Sequence, residues 1–307
     1  MNNIKHTKLP SFKRTKPESP IAKVALALAA WKGGQWHFSG TAILIGQGFA
    51  ITATHVIDDF ISILLPLETY KESQENDRMK RLDYALGPHN TSKKSTEYVH
   101  RDRHITIYAF QFGYLNNLWT VKRAYGSPCT DITFLKLAPA NEGAITYKAP
   151  SLVMNLIAPE VGACVSGFGY HDQKLADDKD TLICDSSTTV GNVISVHNDG
   201  LPGRIRIPCF LVDARIDGGM SGCPFFNEQG ELCGIASMSY DSNQEEEHMS
   251  RIACLWPSMN TLVDLSLPGC SNTIPYPVLE LAKLKYLHVR NWERINIEEN
   301  GISFRDY

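Results

Sequence analysis

The sequence has no Cys-x-x-Cys pair among its eight cysteines, at positions 129, 164, 184, 209, 223, 233, 254 and 270, and no apolar run long enough to cross a bilayer. The first absence removes the spaced doublets that a structural zinc site uses, so neither a metal nor a cofactor is expected. The second removes a spanning helix, which needs about 18 consecutive apolar residues. Charge of one sign is scarce too: the net value is −3 over 307 residues, which gives no footing for a polyanionic partner. Membrane and nucleic acid are therefore set aside as partners. What is present is ordinary for a chain that buries a sizeable core, with 43% hydrophobic and 21% charged residues. The cysteines read mostly as small buried apolar residues.

Residues 1–20 are basic, polar and interrupted by proline, and are expected to form a flexible tail. The run Ile21-Ala-Lys-Val-Ala-Leu-Ala-Leu-Ala-Ala-Trp31 has the position of a targeting signal, but Lys23 interrupts it and it continues into an evident strand. It is read as the first strand of the fold, with a cytoplasmic location expected and export as the alternative. Short apolar runs divided by glycine and proline turns follow through residue 66, resume at His104 and continue to about Leu255, the signature of all-β barrels. Between them, 68–104 is rich in charged and polar residues and reads as a surface insertion. Met259-Asn-Thr-Leu-Val-Asp-Leu is expected to be a short closing helix. Beyond Pro268-Gly269, residues 269–307 form an appendage: a helix from Pro277, by its apolar spacing, then a hairpin signalled by Asn300-Gly301.

Acyl transfer by a serine needs an exposed hydroxyl, a base, an acid that orients the base, and backbone donors for the developing oxyanion. Asp213-Ala-Arg-Ile-Asp-Gly-Gly-Met-Ser-Gly-Cys-Pro sets Ser221 in a turn where Gly218, Gly219 and Gly222 permit a tight path that aims the Gly219 and Ser221 amides at one spot. Taken alone, the stretch is also readable as a plain glycine-rich turn with an exposed serine.

Gly-x-Ser-Gly-x-Pro, with Asp213 eight positions before the serine, resembles the trypsin-like serine peptidases, the HtrA-like and V8-like branch in particular. Two further segments extend the resemblance over residues 21–268, in the family's order along the chain. Gly40-Thr-Ala-Ile-Leu-Ile, leading to Thr52-Ala-Thr-His-Val, is similar to the segment that carries the catalytic histidine, which makes His55 the base. Asp131-Ile-Thr-Phe-Leu-Lys-Leu is similar to the strand that carries the triad acid. The resemblance implies two six-stranded antiparallel β-barrels of the chymotrypsin-like kind, and a serine endopeptidase acting on protein or peptide substrates with Ser221 as nucleophile. It also implies that Arg215 lies at the base of the pocket for the substrate side chain. Ser237 would stand near the triad acid, and Met238 and Ser239 would pair with substrate backbone.

The departures carry information of their own. Met220 stands where trypsin-like zymogens keep an aspartate, and no Ile-Val-Gly-Gly cleavage site occurs, so activation by an inserted N-terminus is not expected. The cysteine pair that flanks the histidine in secreted relatives is missing, Cys223 reads as a packed residue rather than a second nucleophile, and no PDZ-like segment follows. Specificity is left open: Arg215 would favour acidic side chains, Glu245-Glu-Glu247 basic ones, and Arg215 has Asp213 and Asp217 as nearby partners. The alternative function is a protease-fold binding module that is latent without a partner, docked through 68–104 or 269–307.

Overall fold

The structure, a computed structural model, describes residues 12–14, 20–32, 35–46, 48–64, 106–112, 117–127, 129–175, 182–201, 207–241, 248–265, 274–298 and 301–305. The expected insertion at 68–104 and the acidic run 245–247 lie outside these residues.

Strand β1 (Phe12–Arg14) comes first among the described residues and pairs with a strand of the second barrel, within the stretch expected to be a flexible tail. The first barrel follows: β2 (Ala25–Lys32), β3 (Gln35–Gly46), β4 (Phe49–Ala53), β5 (Thr106–Gln111), β6 (Asn117–Gly126) and β7 (Ile132–Pro139), closed in the order β2-β3-β4-β7-β6-β5. Side chains along β5 alternate between buried and half-buried, as a barrel wall with one face inward requires. Helix α1 (Thr54–Leu64) leaves β4 without a loop. Its Val56, Ile57, Phe60 and Ile61 are buried at helical spacing, so one stripe of the helix is fixed against the barrel.

Helix α2 (Glu142–Thr146) starts where the Asn141 side chain accepts from the Ala144 amide at 3.0 Å. Strand β8 (Val153–Asn155) leads into the second barrel: β9 (Cys164–Leu175), β10 (Leu182–His197), β11 (Cys209–Val212), β12 (Pro224–Phe226), β13 (Leu232–Asp241) and β14 (His248–Cys254). The order β12-β9-β10-β11-β14-β13, with β12 also paired to β13, closes this ring as well. Two closed six-stranded antiparallel barrels thus account for most of the chain, and Pro224 and Cys223 on one side with Ile235 and Ala236 on the other join the serine turn to the sheet.

The helix expected at Met259–Leu265 is a correction. Trp256–Asn260 forms a 3-10 turn, and Leu262–Leu265 is strand β15, paired with β16 (Ile274–Pro277). Leu262 is exposed and Val263 buried, a period of two that only an extended chain satisfies. The helix beyond it does form, as α3 (Val278–Lys283), and β17 (His288–Arg290) then lies parallel to β8 on the rim of the second barrel. The buried Glu231 receives the Arg290 guanidinium together with the Asn155 and Asn227 amides, so the appendage is fastened to the barrel by charge-assisted hydrogen bonds. The hairpin β18 (Ile295–Glu298) and β19 (Gly301–Phe304) closes the chain, with Phe304 packed on Trp256 at 5.9 Å between ring centroids.

Candidate active site

The antiparallel register of β4 and β7 sets Ala53 opposite Ile132, so the residues just past these ends, 54 and 131, become neighbours. Thr54 donates its amide to the Asp131 carbonyl at 2.9 Å, and the His55 amide donates to Asp131 Oδ1 at 3.2 Å. His55 Nδ1 lies 3.0 Å from Asp131 Oδ2. An ionised carboxylate only accepts, so Nδ1 carries the proton and Nε2 of the neutral ring keeps its lone pair. The imidazole is about one-third exposed, at 32%, while the carboxylate behind it is 7% exposed. Burial alone would push the Asp131 carboxyl up. The hydrogen bond and charge of His55, the Ser237 hydroxyl and the His55 amide outweigh that and hold it below its ordinary value.

Ser221 comes from the other barrel, on two successive turns. Met220 donates to the Asp217 carbonyl at 3.0 Å and Cys223 to the Met220 carbonyl at 2.9 Å, with Gly219 (φ 93°) and Gly222 (φ 79°) at the third position of each. That position of a turn of this type requires positive φ. A side chain at Gly222 would also come within 2.3 Å of the Thr41 carbonyl and the Thr52 hydroxyl. Gly218 has open space around it and no such demand, so two of the three glycines shape the turn. Met220 is fully buried, packed against Gly169 of β9. The loop is anchored there by apolar contact.

The seam is held by residues that motif reading did not single out. Thr41, on β3, donates its amide to the Ser221 carbonyl at 2.7 Å; its hydroxyl donates to the Gly219 carbonyl at 3.4 Å and accepts from the Tyr170 amide at 2.9 Å. Gly40 (φ 78°) lets Val56, the neighbour of His55, close on the serine loop: a side chain at 40 would lie 2.6 Å from Val56 and 2.8 Å from the Ser221 carbonyl. A threonine within a strand carries no signal of such a role in sequence. Among the described residues, His55 makes no hydrogen bond to Ser221, and the Gly219 and Ser221 amides have no acceptor.

The remaining expected residues divide. Ser237 is buried and donates to Asp131 Oδ2, and it sits where the β13–β14 register shifts between Ala236 and Met238. Arg215 is bound to Asp217, the neighbour that the sequence offered along with Asp213; both side chains are partly exposed. Asp213 instead accepts from the Asn192 amide. Met238 and Ser239 pair with Arg251 and Ser250 of β14, and among the described strands their other edge has no partner, because β12 and β8 meet β13 only at Leu232 to Ile235. Arg251, which the sequence gave no reason to choose, is buried and donates Nη2 to the Ser237 hydroxyl at 2.7 Å. Cys223 is fully buried and its thiol is pushed up by burial, as a packed residue would be. Among the described residues no group of three or more His, Cys, Asp or Glu could hold a metal ion.

A double barrel with a buried carboxylate behind a half-exposed histidine, and a serine turn facing them across the seam, has the chymotrypsin-like serine-protease fold. The trypsin family model matches residues 25–254, and the chain belongs to the trypsin family. Among solved structures it is similar to neuropsin, a serine protease expressed in the limbic system of mouse brain, at 16% identity over 80% of this chain and 93% of that one, with a TM-score of 0.45. It is also similar to an inactive form of Rv3671c from M. tuberculosis H37Rv, at 12% identity over 76% of this chain and 82% of that one, with a TM-score of 0.40. No curated protein matches the chain.

Proposed function

We propose that the protein is a serine endopeptidase that hydrolyses peptide bonds of protein substrates through an acyl-enzyme. Ser221 Oγ attacks the scissile carbonyl while His55 Nε2 takes its proton; the imidazolium then gives that proton to the leaving amine. Asp131 stays ionised, keeps Nδ1 protonated and stabilises the imidazolium. The Gly219 and Ser221 amides receive the oxyanion. Water repeats the sequence to release the acid. The observation that carries this reading is the 3.0 Å contact of His55 Nδ1 with Asp131 Oδ2, which leaves Nε2 of a partly exposed ring as the base. The Gly219 and Ser221 amides, without an acceptor among the described residues, support the oxyanion role. The hydrogen bond from Ser221 to His55 forms when substrate is bound, as apo sites of this kind often require.

Substrate backbone adds as a strand to the free edge at Met238 and Ser239. A reducing, cytoplasmic setting accords with Cys209, Cys223, Cys233 and Cys254 serving as buried packing residues. The test is labelling by a fluorophosphonate probe. Wild type takes the label and Ser221→Ala does not, and wild type cleaves a peptide library internally rather than from its ends. Failure of the folded wild type to label at any pH would replace the enzyme with a module that is latent without a partner.

A further inference from the structure

The buried guanidinium of Arg251 is unusual in its company. It lies on β14 with 3% of its surface exposed, and its one hydrogen bond among the described residues goes to the neutral Ser237 hydroxyl, not to a carboxylate. A buried cation without a counter-charge is strongly disfavoured. The nearest negative group along the hydrogen-bonded path is Asp131, one hydroxyl further on. Arg251 and Asp131 are thus joined through the Ser237 hydroxyl.

The linkage has a chemical result. A guanidinium only donates, so Ser237 must accept from Arg251 Nη2, and its own proton is then directed at Asp131 Oδ2. That oxygen also receives His55 Nδ1–H, while Oδ1 takes the His55 amide. The bulge makes the path possible: Ala236 pairs with Ile252 and Met238 with Arg251, which leaves Ser237 as the extra residue aimed out of the ladder. We propose that Arg251 is a positioning residue of the triad, which fixes the direction of the Ser237 hydroxyl and through it the orientation and charge of Asp131 against His55. This rests on the peptidase reading of the same site.

Removing Arg251 acts on the triad through the Ser237 hydroxyl. A Ser237 hydroxyl free to rotate stabilises the carboxylate less, so Asp131 holds a proton on His55 more strongly. The other charged groups facing His55 are Asp131 itself, Asp59, whose charge couples to the ring, and Asp58, next to Asp59 on α1. Facing Arg251, the Cys209 thiol on β11 feels its charge. Of these, the Cys209 thiol alone feels the loss of the guanidinium directly.

The experiment measures fluorophosphonate labelling rate against pH, per active site, for wild type, Arg251→Met, Arg251→Lys, Ser237→Ala and the double variant Arg251→Met/Ser237→Ala. Each fold is checked by near-UV circular dichroism. The low-field Nδ1–H proton resonance of the His55–Asp131 bond is recorded alongside, since it reports geometry without turnover. Arg251→Met is expected to label about ten-fold more slowly, an effect typical of an outer group that orients a reacting one. Its rate profile moves to higher pH and its low-field proton shifts or exchanges away. Arg251→Lys, which keeps charge and a donor, recovers part of the rate. The double variant is no slower than Ser237→Ala alone, because Arg251 acts through that hydroxyl. Should Arg251→Met not fold, Arg251→Lys and Ser237→Ala carry the comparison. The inference is overturned if wild type labels while the variants lose only thermal stability, with midpoint, low-field proton and rate per site unchanged, or if the effects of the two positions add. A folded wild type that never labels sinks the peptidase reading, whereas an unchanged profile in labelling variants sinks only the role of Arg251.

Discussion

The two barrels place their share of the site by different means. In the first, a regular ladder does it: the β4–β7 register carries Thr54 and His55 to Asp131, and the pair is joined by three hydrogen bonds, two from main-chain amides. In the second, no ladder passes through Ser221. The serine rides on two glycine turns, and its position against His55 depends on Gly40 and Thr41 reaching across the seam. The lesson is that the His55–Asp131 pair is preformed within one barrel, whereas Ser221 is set by turn geometry and by contact between barrels. Damage to the first should alter chemistry at intact structure; damage to the second should alter structure first.

The sharpest way to test this contrast is Asp131→Asn. The amide preserves size, but it can present Oδ1 or a donor to the ring and so upset the tautomer of His55. Labelling of Ser221 is expected to fall by about 10⁴-fold, the loss known for the equivalent change in a worked serine-protease triad. Melting temperature should move little by comparison. A comparable loss of stability in Asp131→Asn would mean that the pair is mainly a structural clamp.

Next in size comes Gly222→Ala. It meets both a positive φ and a 2.3 Å approach to the Thr41 carbonyl, and should cost about 3 kcal/mol or more of stability together with labelling. Gly218→Ala, with nothing around it, should stay within about 0.5 kcal/mol by chemical denaturation. Equal effects at the two positions would break the claim that turn geometry, and not glycine content, sets the serine.

The smallest expected effect concerns the rim of the second barrel. Burial would raise the Glu231 carboxyl, but hydrogen bonds from Asn227 and Asn155 and the charge of Arg290 hold it below its ordinary value of 4.5. With the folded state binding its proton less readily than the unfolded one, Glu231 stabilises at neutral pH, and the contribution is lost as pH falls through the depressed folded value. Glu231→Gln should therefore lower stability by about 1–3 kcal/mol at pH 7 and flatten the acid side of the stability–pH curve, read by denaturant titration at several pH values. A variant that loses stability equally at pH 7 and pH 3 would show that packing of the appendage, not charge, fastens it.

Much of this was legible in the residues. Alternating apolar runs with glycine punctuation announced barrels because a strand with one face inward has a period of two. The serine turn was legible because positive φ at 219 and 222 calls for glycine. The segment from Met259 misled because Leu262, Val263 and Leu265 suit either period over so short a stretch, and pairing with β16 decided it. Arg215 was left open for a different reason: two carboxylates, Asp213 and Asp217, lie near it along the chain, and proximity in sequence does not say which one a guanidinium meets.

The sequence by itself determined the strand pattern of the barrels and the glycine turn around Ser221, since these follow from side-chain period and steric demand at positive φ, while His55 and Asp131 were pointed to by the resemblance of their segments. Only the tertiary structure decided that Thr41 and Gly40 clamp the serine loop, that Arg215 is neutralised by Asp217, and that Arg251 stands behind Ser237 and Asp131. Apart from the Arg215–Asp217 pair, two residues apart, these contacts join residues distant along the chain. Their energy lies in burial and in hydrogen bonds between barrels, which no local pattern of residues encodes.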